Sequence, residues 1–434
     1  MHGRRSEMTL ICVAVAARAA AVLALQSHKI ADSTYEHGAI AANLLAGRGF
    51  STTFLGAFGP TSQQAPAYPV LVAGAYAIGG VGTPTALLIV QLGQALMGGL
   101  LVAGTMSLAR EAAPGRRRVA TLAGLVAALH PTLVYAATHI QVASLATASM
   151  AWTLALGYRL ARTGSTRDAV AAGVALAITA LTDPILGLSA TGVGAVVLMC
   201  RGLKRSIGPL ALVGLVASLC VLPWVARNYR VHGEFVPIKS SFGYAFWQGN
   251  CNLSQGTDKV VRPSVDEALQ AAGPGMQGWN RALWEARHKA GYLDDIALSR
   301  KDYSTLASLT EPARSRLLFR RAVAELREEP GRYTRLSLKR LRMSILFDET
   351  NPKARSLAYR IPHLLLSLWA AAGWLLMPAD LRRRLAPTLL VAALIAAFHA
   401  LTIVSARFHI PIEPLMGLWG AAGFGGQPRR ATAS

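Results

Sequence analysis

The stretch ADSTYEHGAIAANLLAGRGFS, Ala31–Ser51, follows directly on an apolar run, and it puts two carboxylates, Asp32 and Glu36, one helical turn apart. Acids are scarce around it. The only carboxylate before the stretch is Glu7, and the next one after it is Glu111. Ser33-Thr-Tyr-Glu36 fits a capping box, in which the Glu36 carboxylate reaches back to the backbone N–H of Ser33. A helix over 34–46 would follow, stopped by Gly47. Asp32 is left over by that arrangement. It competes as N-cap, sits in water as a loop residue, or serves as a carboxylate at the membrane surface where a hydroxyl loses its proton.

The surrounding chain explains why a membrane enters. Of 434 residues, 53% are hydrophobic and 15% charged, against about 25% charged in soluble domains. The mean hydropathy is +0.37. The apolar residues fall in long blocks separated by short basic stretches, the pattern of a polytopic membrane protein. A net charge of +22 could point to nucleic acid. The apolar blocks argue against that partner, and basic residues beside spans set orientation and meet anionic lipid head groups instead.

A bilayer core needs about 20 apolar residues per helix. Candidate spans are roughly 8–27, 84–109, 119–138, 142–160, 168–182, 185–200, 207–226, 358–377, 386–404 and 411–425. The run Thr9–Leu25 reads as a retained first helix, because no small-residue cleavage site follows it. Segment 66–82 is apolar but short and begins with Pro66 and Pro69, so it reads as a helix lying at the interface or dipping partly in. With Arg4 and Arg5 in the cytoplasm, alternation puts every short basic group on that side: Arg116 to Arg118, Arg159 to Arg167, Arg201 to Arg205, Arg382 to Arg384, and Arg429 with Arg430. Two long pieces then fall outside, 28–65 and 227–357. The expected organisation is an N-terminal transmembrane module over 1–226 with the first external loop at 28–65, an external domain over 227–357, and C-terminal transmembrane helices over 358–434. Within 227–357, two helical segments from Glu311 to Phe347 are broken at Pro330, and Tyr333–Phe347 reads as a basic amphipathic helix on the membrane surface.

The residues in order carry a resemblance. Asp32, Tyr35, Ala41, Asn43-Leu-Leu45, Gly47-Arg-Gly-Phe50 and Pro66-Ala-Tyr-Pro69 are similar to the first external loop of bacterial C-type glycosyltransferases. These are the family 39-like group, akin to protein mannosyltransferases and aminoarabinose transferases. Pro223-Trp-Val-Ala-Arg-Asn-Tyr229, Phe235-Val-Pro-Ile238, Tyr244-Ala-Phe-Trp-Gln-Gly-Asn250 and Ala406-Arg-Phe-His-Ile-Pro411 extend it along the chain. The resemblance implies an all-α GT-C-like bundle of about ten transmembrane helices, with an external helical loop and a small α-rich external domain. It implies a polyprenyl-phosphate sugar donor and transfer to an envelope lipid, glycan or protein on the external face of the bacterial cytoplasmic membrane. It also implies Asp32 as the general base. Two departures stand out: Gln141 where relatives often carry an acid, and Thr182-Asp183-Pro184 where they often carry Thr-Arg-Pro.

The leaving phosphate needs cations, and arginine suits it by its bidentate fork. Arg227, Arg407 and His409 lie at external span ends, at the depth of a lipid phosphate. Arg227 reads equally as an interfacial snorkel. Glu413 reads as a partner of Arg407, and Asp183 as a cap for the helix restarting at Pro184. Gln248 and Asn250 either hydrogen-bond sugar hydroxyls or close a turn. Trp224 and Trp247 read as interface-belt aromatics. The expected substrate contacts are therefore Glu36, Tyr68, Arg227, Gln248, Asn250, Arg407 and His409. No Cys/His spacing marks a metal site and no cofactor is called for, although a divalent metal stays open. No phosphate-binding Gly-rich loop with Lys-Ser/Thr occurs, which argues against nucleotide-driven chemistry. A flippase or transporter of a lipid-linked sugar is the rival function. It would place acids and broken helices near the midplane and show inverted repeats, and the chain offers Asp183 without a visible repeat. An oligosaccharide ligase shares the lipid donor.

Overall fold

The computed structural model describes residues 2–30, 33–260 and 264–425. The chain opens with α1 (His2–Leu25) and α2 (Tyr35–Leu45), then a hairpin of β1 (Ser51–Phe54) and β2 (Ala57–Pro60), then the short α3 (Ala67–Gly79). A first group of long helices follows: α4 (Pro84–Ala112), α5 (Arg117–Leu129) continued by α6 (Pro131–Ala136), α7 (Ala143–Thr163), α8 (Thr166–Thr182) and α9 (Ser189–His232). The polar region holds α10 (Phe242–Asn250), α11 (Ser264–Gln270), α12 (Gly275–Lys289), α13 (Leu293–Ala297), α14 (Arg300–Ala307), α15 (Glu311–Glu328) and α16 (Pro330–Ile345). The last three are α17 (Leu357–Leu376), α18 (Ala379–Leu401) and α19 (Glu413–Gly425).

The expected spans fall mostly on helix. Among the described residues, four helical segments are long and apolar enough to cross a membrane: Ser6–Lys29, Pro84–Ala112, Pro184–His232 and Ala379–Leu401. The protein is a multi-pass membrane protein. Local chemistry sets the ends. Thr83 caps α4 by accepting from Ala86 N at 3.1 Å, with Pro84 in the first turn where its missing N–H costs nothing. Gly202, at φ 71° and ψ 165°, breaks α9 into two spans, as the sequence divides it. The outward side chains of its second half, Leu203, Ile207, Leu215, Leu219 and Leu222, are all exposed, which is the surface a hydrocarbon solvent accepts. Inside the bundle, small residues bring backbones together. A Cβ added to Gly373 on α17 would meet the Gly420 Cα on α19 at 2.5 Å.

The span expected over 119–138 is interrupted at His130, whose ψ of 125° fits a residue preceding proline. The break orphans carbonyls at the end of α5 in a membrane interior, where water cannot repair them. Arg18 on α1 does so. It is 1% exposed and donates to Ala128 O at 2.8 Å, Ala127 O at 2.9 Å and Ala14 O at 3.1 Å.

In the first loop, α2 ends as expected: Arg48 N bonds Asn43 O at 2.9 Å and Gly47 N bonds Leu44 O at 3.2 Å, with Gly47 at φ 73°. The start of α2 differs from expectation. Tyr35 sits at φ 49°, Thr34 makes no side-chain cap, and the Ser33 hydroxyl has no partner. The capping box does not form, because the left-handed turn at Tyr35 takes Glu36 away from Ser33. The hairpin is also new. Leu55 and Gly56 both take positive φ, as a two-residue primed turn requires, and pair Phe54 with Ala57.

The polar region is tied to this loop. Buried Glu311, at the start of α15, accepts from Ser62 N at 2.7 Å and from the Ser240 hydroxyl at 2.5 Å. Arg314 donates to Phe54 O at 2.8 Å. Trp247 is buried in the core beneath the hairpin with Phe54, Leu293 and Leu318, not in an interface belt. Cys251 is buried in the same core, and all four cysteines are free. The segment read as a surface helix is α16, but Arg340 turns inward. It is fully buried and donates to Ala400 O and Gly249 O, both at 2.6 Å. Leu338 and Ile345 are exposed.

Candidate active site

A cavity of about 1030 Å3 opens where α2, the hairpin, the start of α7, the Thr182–Leu188 segment and the Thr402–Pro411 turn meet the polar region. Polar residues from distant parts of the chain converge on it. Glu36, Gln64, Asp183, Lys239 and Arg407 share one side, in electrostatic range of one another. Tyr35, His139, Arg287, Tyr292, Lys259 and Lys353 line another part. Asp183 caps the helical turn after it, accepting from Ile185 N at 3.2 Å, and its side chain still borders the cavity. Gln141 borders it as well.

The Glu36 carboxylate accepts from Gln64 Nε2, and Gln64 Oε1 accepts from Lys239 Nζ at 3.1 Å. Burial works against the Glu36 charge, but His37, the Glu36 backbone N–H, Arg407 and Lys239 together outweigh it and hold the carboxyl below its usual range. Burial pushes His37 down to about 4. It is therefore neutral near pH 7, which leaves the Glu36 backbone N–H, with Arg407 and Lys239 as the cations, to keep Glu36 ionised. Burial also lowers the ammonium groups, Lys259 to about 8 and Lys353 to about 7. Arg287 lies over the Trp284 ring at 4.7 Å and interacts with the Tyr35 and Tyr135 hydroxyls. Arg407 is exposed to the cavity, rests on the Phe408 ring at 5.5 Å and has no ion pair among the described residues. A cavity with free cations at one wall and a carboxylate between them can receive a phosphorylated ligand and accept a proton beside it.

The expected base, Asp32, lies outside the described residues. Of the expected substrate contacts, Glu36, Gln248 and Arg407 line the cavity. The other four sit off its wall. Tyr68 is fully buried and donates to Gln94 Oε1 at 2.8 Å, its ring edge-on to His37. Arg227 clamps both ends of the hairpin, donating to Thr61 O at 2.6 Å and Phe50 O at 2.8 Å, and it stacks between Phe50 and Trp224. This is neither a phosphate contact nor a snorkel. Asn250 donates to Phe246 O at 2.8 Å and Thr402 O at 3.1 Å. His409 points away from the cavity toward Glu413, with Tyr359 on its far nitrogen at 2.6 Å. Glu413 in turn does not pair with Arg407. It faces the imidazoles of His130, His363 and His409.

Lys239, Lys259, Arg287 and Lys353 were not singled out from the sequence. Lys239 directly follows Phe235-Val-Pro-Ile238, so its placement beside a matched stretch was the available signal. The others lie in a region without such a signal.

No protein-family model matches the sequence, and no curated protein matches it. Solved structures do. The archaeal oligosaccharyltransferase AglB from Archaeoglobus fulgidus, in complex with an inhibitory peptide and a dolichol-phosphate, aligns over 96% of this chain and 50% of that one, at 14% identity and a TM-score of 0.56. The oligosaccharyltransferase of the same organism in its apo form gives 14% identity and a TM-score of 0.55 over the same shares. ArnT from Cupriavidus metallidurans bound to undecaprenyl phosphate aligns over 96% of this chain and 77% of that one, at 16% identity and a TM-score of 0.45. The chain spans about half the length of the oligosaccharyltransferase it matches. Its fold is the GT-C fold of that membrane transferase.

Proposed function

We propose that the protein is a membrane glycosyltransferase. It moves a sugar from a polyprenyl-phosphate donor to an acceptor hydroxyl on a lipid, glycan or protein, at the external face of the bacterial cytoplasmic membrane. The observation that carries this reading is the grouping of Arg407 and Lys239 around the Glu36 carboxylate on one side of a large cavity, with neither cation in an ion pair among the described residues. The fold supports it, since the aligned oligosaccharyltransferase structure holds a dolichol-phosphate, a lipid phosphate of the same chemical class.

In this reaction the acceptor oxygen bonds to C1 of the sugar as the bond from C1 to the phosphate oxygen breaks. The electron pair leaves on the lipid phosphate, and the acceptor proton passes to a carboxylate. Arg407, with its forked donors, meets the phosphate as its charge grows. Lys239 adds a second positive charge, positioned by Gln64. Asp32 takes the proton, a step worth roughly 10²–10⁴-fold in rate. Glu36, four residues further along, holds the Gln64–Lys239 side of the cavity in register. Gln248 and Gln141 offer amides to sugar hydroxyls.

The test is sugar transfer by the purified protein from lipid-linked donors, read by mass spectrometry of the product. The donor to supply is the polyprenyl-linked sugar that accumulates when the gene is deleted. Asp32→Asn should lose roughly 10²–10⁴-fold in turnover at unchanged thermal stability. Translocation of the donor across vesicles without transfer would replace this reading with a flippase.

A further inference from the structure

Behind the turn that carries Arg407, four side chains from three parts of the chain meet in a closed space. His130 sits at the break between α5 and α6, His363 on α17, His409 just before the helical turn Ile410–Ile412, and Glu413 at the start of α19. All four are buried, at 8%, 1%, 5% and 0% exposure. Glu413 Oε1 lies 3.1 Å from His409 Nδ1 and 3.6 Å from His363 Nδ1, and Oε2 lies 3.2 Å from His130 Nδ1. None of these approaches is a hydrogen bond in geometry: both carboxylate oxygens and all three Nδ1 atoms lack a hydrogen-bond partner.

The far side of each ring explains the conflict. His130 Nε2 faces Pro362 O at 3.3 Å, and His363 Nε2 faces Ile345 O at 3.1 Å. A backbone carbonyl only accepts, so in a neutral ring the proton sits on Nε2 and Nδ1 is a bare lone pair. His409 Nε2 is held by the Tyr359 hydroxyl at 2.6 Å. For His130 and His363, lone pairs on nitrogen therefore face lone pairs on a buried carboxylate, and His409 joins them in the tautomer whose Nε2–H donates to the Tyr359 hydroxyl. Lys353 does not fill the gap, because its ammonium lies over the Tyr359 ring at 4.9 Å and makes no ion pair with Glu413.

We propose that His363, His409 and Glu413 bind one divalent transition-metal ion of the zinc class, with His130 orienting the second carboxylate oxygen, and that the ion staples the Arg407 turn to α17. A tetrahedral ion with ligands at about 2.0–2.1 Å holds its ligand atoms about 3.3 Å apart, and the observed 3.1 and 3.6 Å bracket that value. One ligand atom from each of the three residues lies within 4.8 Å of the others. Imidazole nitrogens with one carboxylate suit zinc-class ions, whereas magnesium and calcium take oxygen sets. Ring nitrogens fixed from behind by carbonyls and a tyrosine are the outer shell such ligands require.

The site is independent of the proposed transfer reaction, and its test reads metal, not sugar. The full-length protein, purified in detergent with any histidine tag removed, is incubated with zinc, desalted and analysed by elemental mass spectrometry. About one ion per chain is expected, and a cobalt-loaded sample should show visible ligand-field absorption. Glu413→Gln and His363→Gln should each lower the zinc content at least fivefold while the protein stays monodisperse. A wild-type protein without retained zinc and without cobalt colour would overturn the site, as would unchanged stoichiometry in both variants. If both variants fail to fold, the cobalt spectrum of the wild type decides.

Discussion

Gln64 Nε2 donates to Glu36 Oε1, a contact between the two ends of the first loop that keeps the Glu36 carboxylate in the cavity instead of on the backbone of Ser33. A residue that caps a helix and one that organises a site respond differently to substitution. Glu36→Ala removes the charged acceptor of Gln64 Nε2, at about 1.5–3 kcal/mol, and no helix cap. Glu36→Gln should lower turnover at least tenfold by removing the charge that faces Lys239 and Arg407. Melting curves beside transfer rates separate the two. A stability loss with full activity would restore the capping role.

Arg407 stands apart from Glu413, and that changes what a double mutant means. Arg407→Ala should raise the donor KM by roughly 10- to 100-fold, as expected for a lost charge-assisted contact. Arg407→Lys should recover part of it, keeping charge without the fork. The double change Arg407→Ala with Glu413→Gln should recover nothing, because Glu413 is engaged by histidines. Full recovery would show that the two residues are a structural pair.

The lowered lysines make donor affinity pH-dependent in one direction. Burial brings Lys353 to about 7 and Lys259 to about 8, with Arg287 lowering both and the Asp348 charge opposing it. An amine is charged below its pKa, so positive charge near the cavity is present at low pH and is lost as pH rises through these values. Affinity for a lipid phosphate should therefore fall between about pH 6.5 and 9. Lys353→Met and Lys259→Met should each flatten part of that slope. A donor KM that is constant across the range would rule out these ammonium groups as contributors.

Arg18 makes a prediction far from the cavity. Its guanidinium satisfies Ala127 O and Ala128 O at the broken end of α5. Arg18→Met keeps the apolar length but leaves those carbonyls without a donor, at about 1–3 kcal/mol each. Thermal unfolding in detergent should drop accordingly. An unchanged melting temperature would mean that other groups repair the break.

The sequence by itself determined the all-helical, multi-pass membrane character of the chain, the break of α9, the stop of α2 at Gly47 and the division of α15 from α16 at Pro330. These depend on hydrophobic length and on what glycine and proline do to a backbone, which are local properties. It also placed Glu36, Gln248 and Arg407 among the residues that meet at the cavity. What it left open was where each polar side chain points. Arg227 and Asn250 lie in stretches that carry the resemblance yet spend their hydrogen bonds on the hairpin and on Thr402, because an unsatisfied carbonyl in a closed space draws the nearest donor. The capping box at Ser33 failed for a similar reason: the turn at Tyr35 aims Glu36 at Gln64, a partner that only the folded loop brings near. His130, His363 and His409 share no spacing that marks them in the chain. Only the packing of α17 and α19 against the α5–α6 break makes them neighbours, and a buried carboxylate then gives their proximity its chemistry.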